Sequence, residues 1–182
     1  MPRINTISGK ADLPAEHHAL ADHVLKVFGG IRGPMSVLMH NPKLAQPLMD
    51  VGDYFRDQSM VPPKLRILAI LIAARERQGA YVWAAQVNAA RRAGISEETS
   101  GRIRSRAPLS SYTPEERDII AYAEQLMRTN RIEQATFDAL KNRHGAAWLI
   151  ELTTAMTYYA MLSNVVSAFE VAVPAEGDKL PA

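Results

Sequence analysis

The chain has 182 residues, 47% of them hydrophobic and 22% charged, which suits one globular domain with a real core and excludes a largely disordered chain. The formal charge is only +2, with acids and bases alternating instead of forming basic blocks, so no nucleic-acid partner is expected. There is no cysteine, which excludes disulfides, thiol redox chemistry and cysteine-held metal together.

The whole span 1–182 reads as a single domain. The opening MPRINTISGKADLP has no apolar core of signal-peptide length, so a cytoplasmic location is expected. Residues 1–13 show no periodic apolar pattern and read as a surface arm. A first helix follows Pro14, with Leu20, Val24, Leu25 and Phe28 at helical spacing until Gly29-Gly30 breaks the pattern. Gly33-Pro34 starts a short apolar helix through Met39. Asn41-Pro42 then caps a third helix that runs to about Asp57, with a distorted second turn expected at Pro47.

Val61 to Gly94 reads as a helical hairpin. Its first arm, Leu65 to Ala74, is apolar on nearly every side, with Arg66 the only charge, and so should be buried within a helical protein. The second arm, about Ala80 to Ala93, is wetter and should end in a left-handed cap at Gly94. The short link Glu76–Gly79 predicts that the arms lie side by side.

Ser96 caps a short sixth helix, near which Arg102, Arg104 and Arg106 form a small basic cluster: a solvated face, an anionic-ligand contact or a subunit contact. Thr113-Pro114-Glu115-Glu116 carries a capping box for a seventh helix reaching Met127. Ile132 to Asn142 gives an eighth, with Ala135, Phe137 and Leu140 among its apolar positions. Ala146 to Phe169 gives the last, long enough to span a bilayer but interrupted by Glu151 and Asn164, hence a buried helix and no membrane partner. Residues 174–182 form a tail, loose or packed on a neighbour. No stretch alternates with period two long enough for a strand, so the fold class is all-α.

Standard phosphate-loop, dinucleotide, zinc-protease and nucleophile-elbow motifs are missing. His17, His18 and His23 form no i, i+4 metal pair, and no metal or cofactor is expected. His40, ending an apolar segment, is either a pocket residue or a favourable partner for a helix C-terminus, whereas His144 reads as a helix-terminal residue. Glu151 lies among Trp148, Leu149, Ile150 and Leu152. It is a candidate general acid or base, or else the partner of an arginine such as Arg66 or Arg75 in a structural bridge. Tyr81, Trp83, Gln86, Tyr158 and Tyr159 are either core or the polar lining of a ligand pocket.

Taken in order and spacing, the segments MPRI, GPMSVLMHNPKLAQPL, PPKLRILAILIAARE, YVWAAQVNAARRAGIS and LIELTTAMTYYAMLSNVVSAFEVAVP resemble the carboxymuconolactone decarboxylase and alkylhydroperoxidase D superfamily. The resemblance implies an AhpD-like helical bundle around a buried antiparallel hairpin. It also implies assembly into homotrimers or homohexamers, with a pocket at the hairpin near subunit contacts. The most similar members read arginine-glutamate after the prolines, then tyrosine-glutamate-tryptophan with a histidine three residues beyond. Here the positions read Arg66-Ile67, Tyr81-Val82-Trp83 and Gln86. The peroxidase branch carries a CxxC where this chain has Gly79 and Val82, so its thiol mechanism is excluded.

Two acids and the histidine of the usual proton relay are therefore replaced. Ile67 and Val82 leave apolar walls, and Gln86 keeps hydrogen bonding without titration. Three functions stay open. The first is a lyase or isomerase for a small carboxylated or lactone-like compound, with Arg66 or Arg75 holding a carboxylate, Tyr81 and Gln86 orienting a carbonyl, and Glu151 or His40 moving the proton. Trp83, Val82, Ile67 and Tyr158 would line that substrate site. The second is a non-catalytic small-ligand-binding homologue, and the third a structural subunit without a ligand.

Overall fold

The computed structural model describes residues 2–181, which group into two compact units. One holds the described residues up to Gln58 together with Val165–Val173; the other holds Ser59–Asn164 and the described chain from Pro174 onward. Among the described residues there are helices and turns and no strand, as the all-α reading expects.

The first unit contains α1 (His18–Phe28), α2 (Pro34–Leu38) and α3 (Pro42–Asp57). Helix α1 buries Leu20, Ala21 and Val24 and stops at Gly29, whose φ of 68° is the left-handed conformation glycine adopts cheaply. Phe28, expected on the same apolar stripe, is exposed instead and lies under the Arg56 guanidinium at 5.9 Å. Asn41 caps α3 by accepting from the Leu44 amide at 3.3 Å, and the helix continues through Pro47. Its Asp53 joins α3 to α1 through His23, 2.5 Å away. The N-terminal arm is less superficial than its pattern suggests. The Ile7 amide donates to Ser36 O at 2.8 Å, and the Ile7 and Leu13 side chains are buried. Two isolated apolar anchors leave no periodicity to detect.

The second unit is built on α4 (Pro63–Glu76), which packs along α5 (Ala80–Arg92) and α7 (Pro114–Thr129) and also touches α6 (Glu97–Arg104). Enclosure on several sides explains its uniform apolarity: Leu68, Ile70, Leu71 and Ile72 are all fully buried. Four such side chains stabilise the unit by about 1.5–3 kcal/mol each. Helix α5 turns back after Arg77–Gly79 and ends as expected near Gly94, at φ 78°, with the Ile95 amide reaching Ala90 O at 2.9 Å. Ser96 caps α6 through the Thr99 amide at 3.0 Å. Thr113 and Glu116 form the reciprocal capping box of α7, at 3.4 and 3.2 Å.

Helix α8 (Gln134–His144) starts two residues later than the apolar pattern suggests and buries only Leu140 fully. Glu133, extended at φ −63° and ψ 141°, holds the cap position, and Ala135 is exposed. Helix α9 (Ala146–Ala168) follows Gly145. No described helix is long and apolar enough to cross a membrane. The tail is fastened: Asp178 accepts from the Trp83 indole at 2.9 Å and from Arg104 at 3.1 Å.

Candidate functional site

The hairpin positions fall into two sets. Val82 and Trp83 are buried, Trp83 completely, and the Trp83 indole N–H is committed to Asp178. Ile67, Tyr81, Gln86 and, on α9, Tyr158 and Tyr159 are half-buried. The rings of the last two meet edge to face at 5.3 Å. Trp83 is thus an anchor of the core, while the half-buried residues keep one side toward solvent.

Glu151 is 7% exposed, and Trp148, Leu149 and Leu152 are no more exposed than that, although Ile150 beside it is 65% exposed. Its Oε1 accepts from the Ser59 hydroxyl and from the Val61 amide at 3.4 Å. Arg66, equally buried, donates from Nη1 to Val61 O at 2.8 Å. Both side chains therefore converge on the Ser59–Val61 segment that leads into α4. Burial pulls the Arg66 guanidinium below its ordinary range, opposed by the nearby Tyr159 phenol and Glu151 carboxylate. A carboxylate, a guanidinium, a hydroxyl and a phenol are brought together here. The set can bind a carboxylate and exchange a proton.

His40 belongs to the first unit, is exposed, and has its Nε2 2.7 Å from Asn5 O.

The position of the first CxxC cysteine has its own geometry. A Cβ on Gly79 would stand 2.5 Å from the Ser163 Cβ and closer still to the Ser163 hydroxyl. Ser163 is fully buried, and its hydroxyl donates to Tyr159 O at 3.0 Å. Glycine at 79 is therefore a packing requirement, and the missing thiol is matched by a neighbour that occupies its space.

A larger polar assembly escaped sequence reasoning. Arg75, 3% exposed, donates to Glu76, to Glu124 at 2.7 Å and to Ile103 O at 2.9 Å. Arg128 reaches the same two glutamates at 2.9 and 3.0 Å, and Arg106 approaches Glu76 at 3.4 Å. Burial pushes the Glu76 carboxyl up, but hydrogen bonding from Arg128 and the charges of Arg75, Arg128 and Arg106 hold it below the usual carboxylate range. The sequence offered one signal, the Glu124–Arg128 pair at i, i+4. Among the described residues no group of three or more histidine, aspartate or glutamate side chains could hold a metal ion.

No protein-family model matches the chain, and no curated protein matches its sequence. Solved structures do. The alkylhydroperoxidase AhpD core of an uncharacterised peroxidase-related protein from Ralstonia eutropha JMP134 superposes with a TM-score of 0.79 at 13% identity, over 96% of this chain and 93% of that one. An uncharacterised peroxidase-related protein from Silicibacter sp. TM1040 gives 0.74 at 15% identity, over 90% and 87% of the two chains. A cysteine-to-alanine variant of the debrominase Bmp8, in complex with 2,3,4-tribromopyrrole, gives 0.77 at 16% identity, over 96% and 94%. The chain therefore has the AhpD-like fold, the all-helical architecture that its sequence resemblance to the carboxymuconolactone decarboxylase and alkylhydroperoxidase D superfamily implies.

Proposed function

We propose that this chain is a cofactor-independent lyase or isomerase acting, without thiol chemistry, on a small carboxylated or lactone-like compound of the aromatic-catabolism type. The observation that carries the reading is the gathering of buried Glu151 and Arg66 with Ser59 and Tyr159. Arg66 would hold the substrate carboxylate with its planar fork, and Glu151 would move the proton in place of the relay that Ile67, Val82 and Gln86 no longer supply. Half-buried Tyr81, Gln86 and Tyr158 would orient the carbonyl, with Ile67 and Val82 as apolar wall.

A second reading has a specific observation in its favour. The hydrogen bonds of Glu151 and Arg66 to the Ser59–Val61 segment suit a brace at the start of α4, so the same hairpin would bind its ligand without turning it over. Ultraviolet-monitored turnover of a panel of lactone acids, headed by carboxymuconolactone, separates the two. Acid–base catalysis predicts that Glu151→Gln lowers kcat about 10²–10⁴-fold while the protein stays folded. Full turnover by that variant, or none by the unaltered protein beside a ligand-dependent rise in Tm, rejects the lyase reading.

Self-association into a homotrimer or homohexamer belongs to the same proposal. It is supported by apolar side chains left exposed on the second unit, Ile150 at 65% and Met60. A monomer mass by light scattering at micromolar concentration would reject it.

A further inference from the structure

Helix α3, in the first unit, has two apolar faces. Ala45, Met49 and Phe55 are buried, whereas Leu44, Pro47, Val51 and Tyr54 are exposed, Leu44 at 49%, Val51 at 38% and Tyr54 at 41%. The exposed set is spaced by three, four and three residues, the spacing of a coiled-coil seam, so it forms one line along the helix. Among the described residues, three of the six large apolar side chains left exposed lie on this line, a clustering that singly scattered surface residues do not give. We propose that the seam docks antiparallel on α3 of a second copy of this chain, making a two-fold contact.

The charges beside the seam select that occupant. Lys43, Asp50 and Asp57 recur every seven residues along one flank, and all three are exposed. A two-fold axis across the seam keeps this flank on the same side in both copies and reverses its direction. Lys43 of each copy then meets Asp57 of the other. Asp50 faces its own counterpart near the axis. The two flanks stand about one helix spacing apart there, 8–10 Å, and each Asp50 accepts from the Gln46 side-chain amide at 2.8 Å. A parallel pair would instead set this flank against Leu48 and Phe55, which offer Lys43 no charge. Two aspartates to one lysine also disfavour an anionic bilayer as the occupant.

The contact stands apart from the enzymatic reading and from the Met60 and Ile150 patch, which belong to the second unit. A closed trimer has no two-fold axis, whereas a dimer and a hexamer made of paired trimers do. The seam therefore bears on which assembly forms.

Because the chain has no cysteine, single cysteines can report the register. With the seam centred between positions 49 and 50, Val51 lies about 5 Å along the axis from its own counterpart and Leu44 about 16 Å. At a concentration on the order of 100 μM, suited to a seam of this small size, a short bis-maleimide is expected to link Val51→Cys to itself but not Leu44→Cys to itself. It should also link Leu44→Cys to Tyr54→Cys when the two are mixed. By light scattering, Val51→Glu is expected to halve the mass with circular dichroism unchanged, since the side chain is exposed. Lys43→Glu should weaken association about tenfold, and Lys43→Glu combined with Asp57→Lys should restore it. Equal self-linking of Leu44→Cys and Val51→Cys, or an unchanged mass in Val51→Glu, would overturn the proposal. So would a monomer that binds phosphatidylglycerol vesicles and loses that binding in Val51→Glu. Failure of the lyase reading would leave these masses and cross-links as expected.

Discussion

Putting a side chain at Gly79 measures how tightly the hairpin is locked against α9. In Gly79→Ala the new Cβ would start 2.5 Å from the Ser163 Cβ, where carbon atoms ordinarily rest about 3.5–4.0 Å apart, so roughly 1 Å of separation must open. Rotating the Ser163 hydroxyl cannot relieve a contact made by Cβ, and Ser163 has no room to withdraw because it is fully buried. Overpacking of this kind costs about 1–3 kcal/mol. Gly79 has φ −78°, which alanine adopts without strain, so the less flexible unfolded chain returns about 0.4–1 kcal/mol. The balance is a loss of roughly 1–2 kcal/mol. Urea unfolding followed by circular dichroism reads it as a lower midpoint at constant slope. Ser163→Gly alone loses roughly 0.5 kcal/mol of helix propensity and the hydroxyl's bond to Tyr159 O, but in the double variant it removes the obstructing Cβ, so the pair should be more stable than the two losses added. Equal midpoints for Gly79→Ala and the unaltered chain, or strict additivity in the double variant, would refute this account. The same geometry predicts that cysteines installed at positions 79 and 82 are tolerated only when Ser163 is also trimmed.

Arg75→Ala should be among the most damaging single changes, about 3–5 kcal/mol, because it removes a buried guanidinium and leaves the buried Glu76 carboxylate and half-buried Glu124 to the more exposed Arg128, with Arg106 on Glu76 alone; a midpoint shift within that of an ordinary surface substitution would contradict it. The His144 ring stacks on Trp148 at 4.0 Å, and burial, with Arg143 beside it, lowers its pKa. The folded protein therefore binds this proton less readily than the unfolded chain. Stability should be full above the ordinary imidazole value of about 6.5 and fall as pH drops below it toward the depressed folded value. His144→Phe keeps the stack and removes the titration, so its stability should change less over that window; identical pH profiles for the two proteins would reject the assignment.

Local chemistry was readable directly. Ser96 and Thr113 cap helices, and Gly29 and Gly94 end them, because each effect acts within one turn of chain and needs no distant partner. The uniform apolarity of Leu65 to Ala74 announced a buried helix for the same reason: enclosure on every side leaves no polar stripe. The replaced relay positions Ile67, Val82 and Gln86, and the missing cysteines, were likewise plain from residue identity, and with them the exclusion of thiol chemistry.

Partners far apart in the chain were decided only by the tertiary structure. Glu151 and Ser59 are separated by 92 positions, Arg75 and Glu124 by 49, and Trp83 and Asp178 by 95. The sequence offered Arg66 and Arg75 alike as possible partners of Glu151; helix packing sets Arg66 in its field and gives Arg75 to Glu76 and Glu124. The tail, low in apolar periodicity, is held by one buried indole and one arginine, a connection that no local pattern encodes. Burial, charge pairing and the clash at Gly79 depend on which surfaces meet after the helices pack, whereas caps, breaks and amphipathic faces are properties of the chain before they meet.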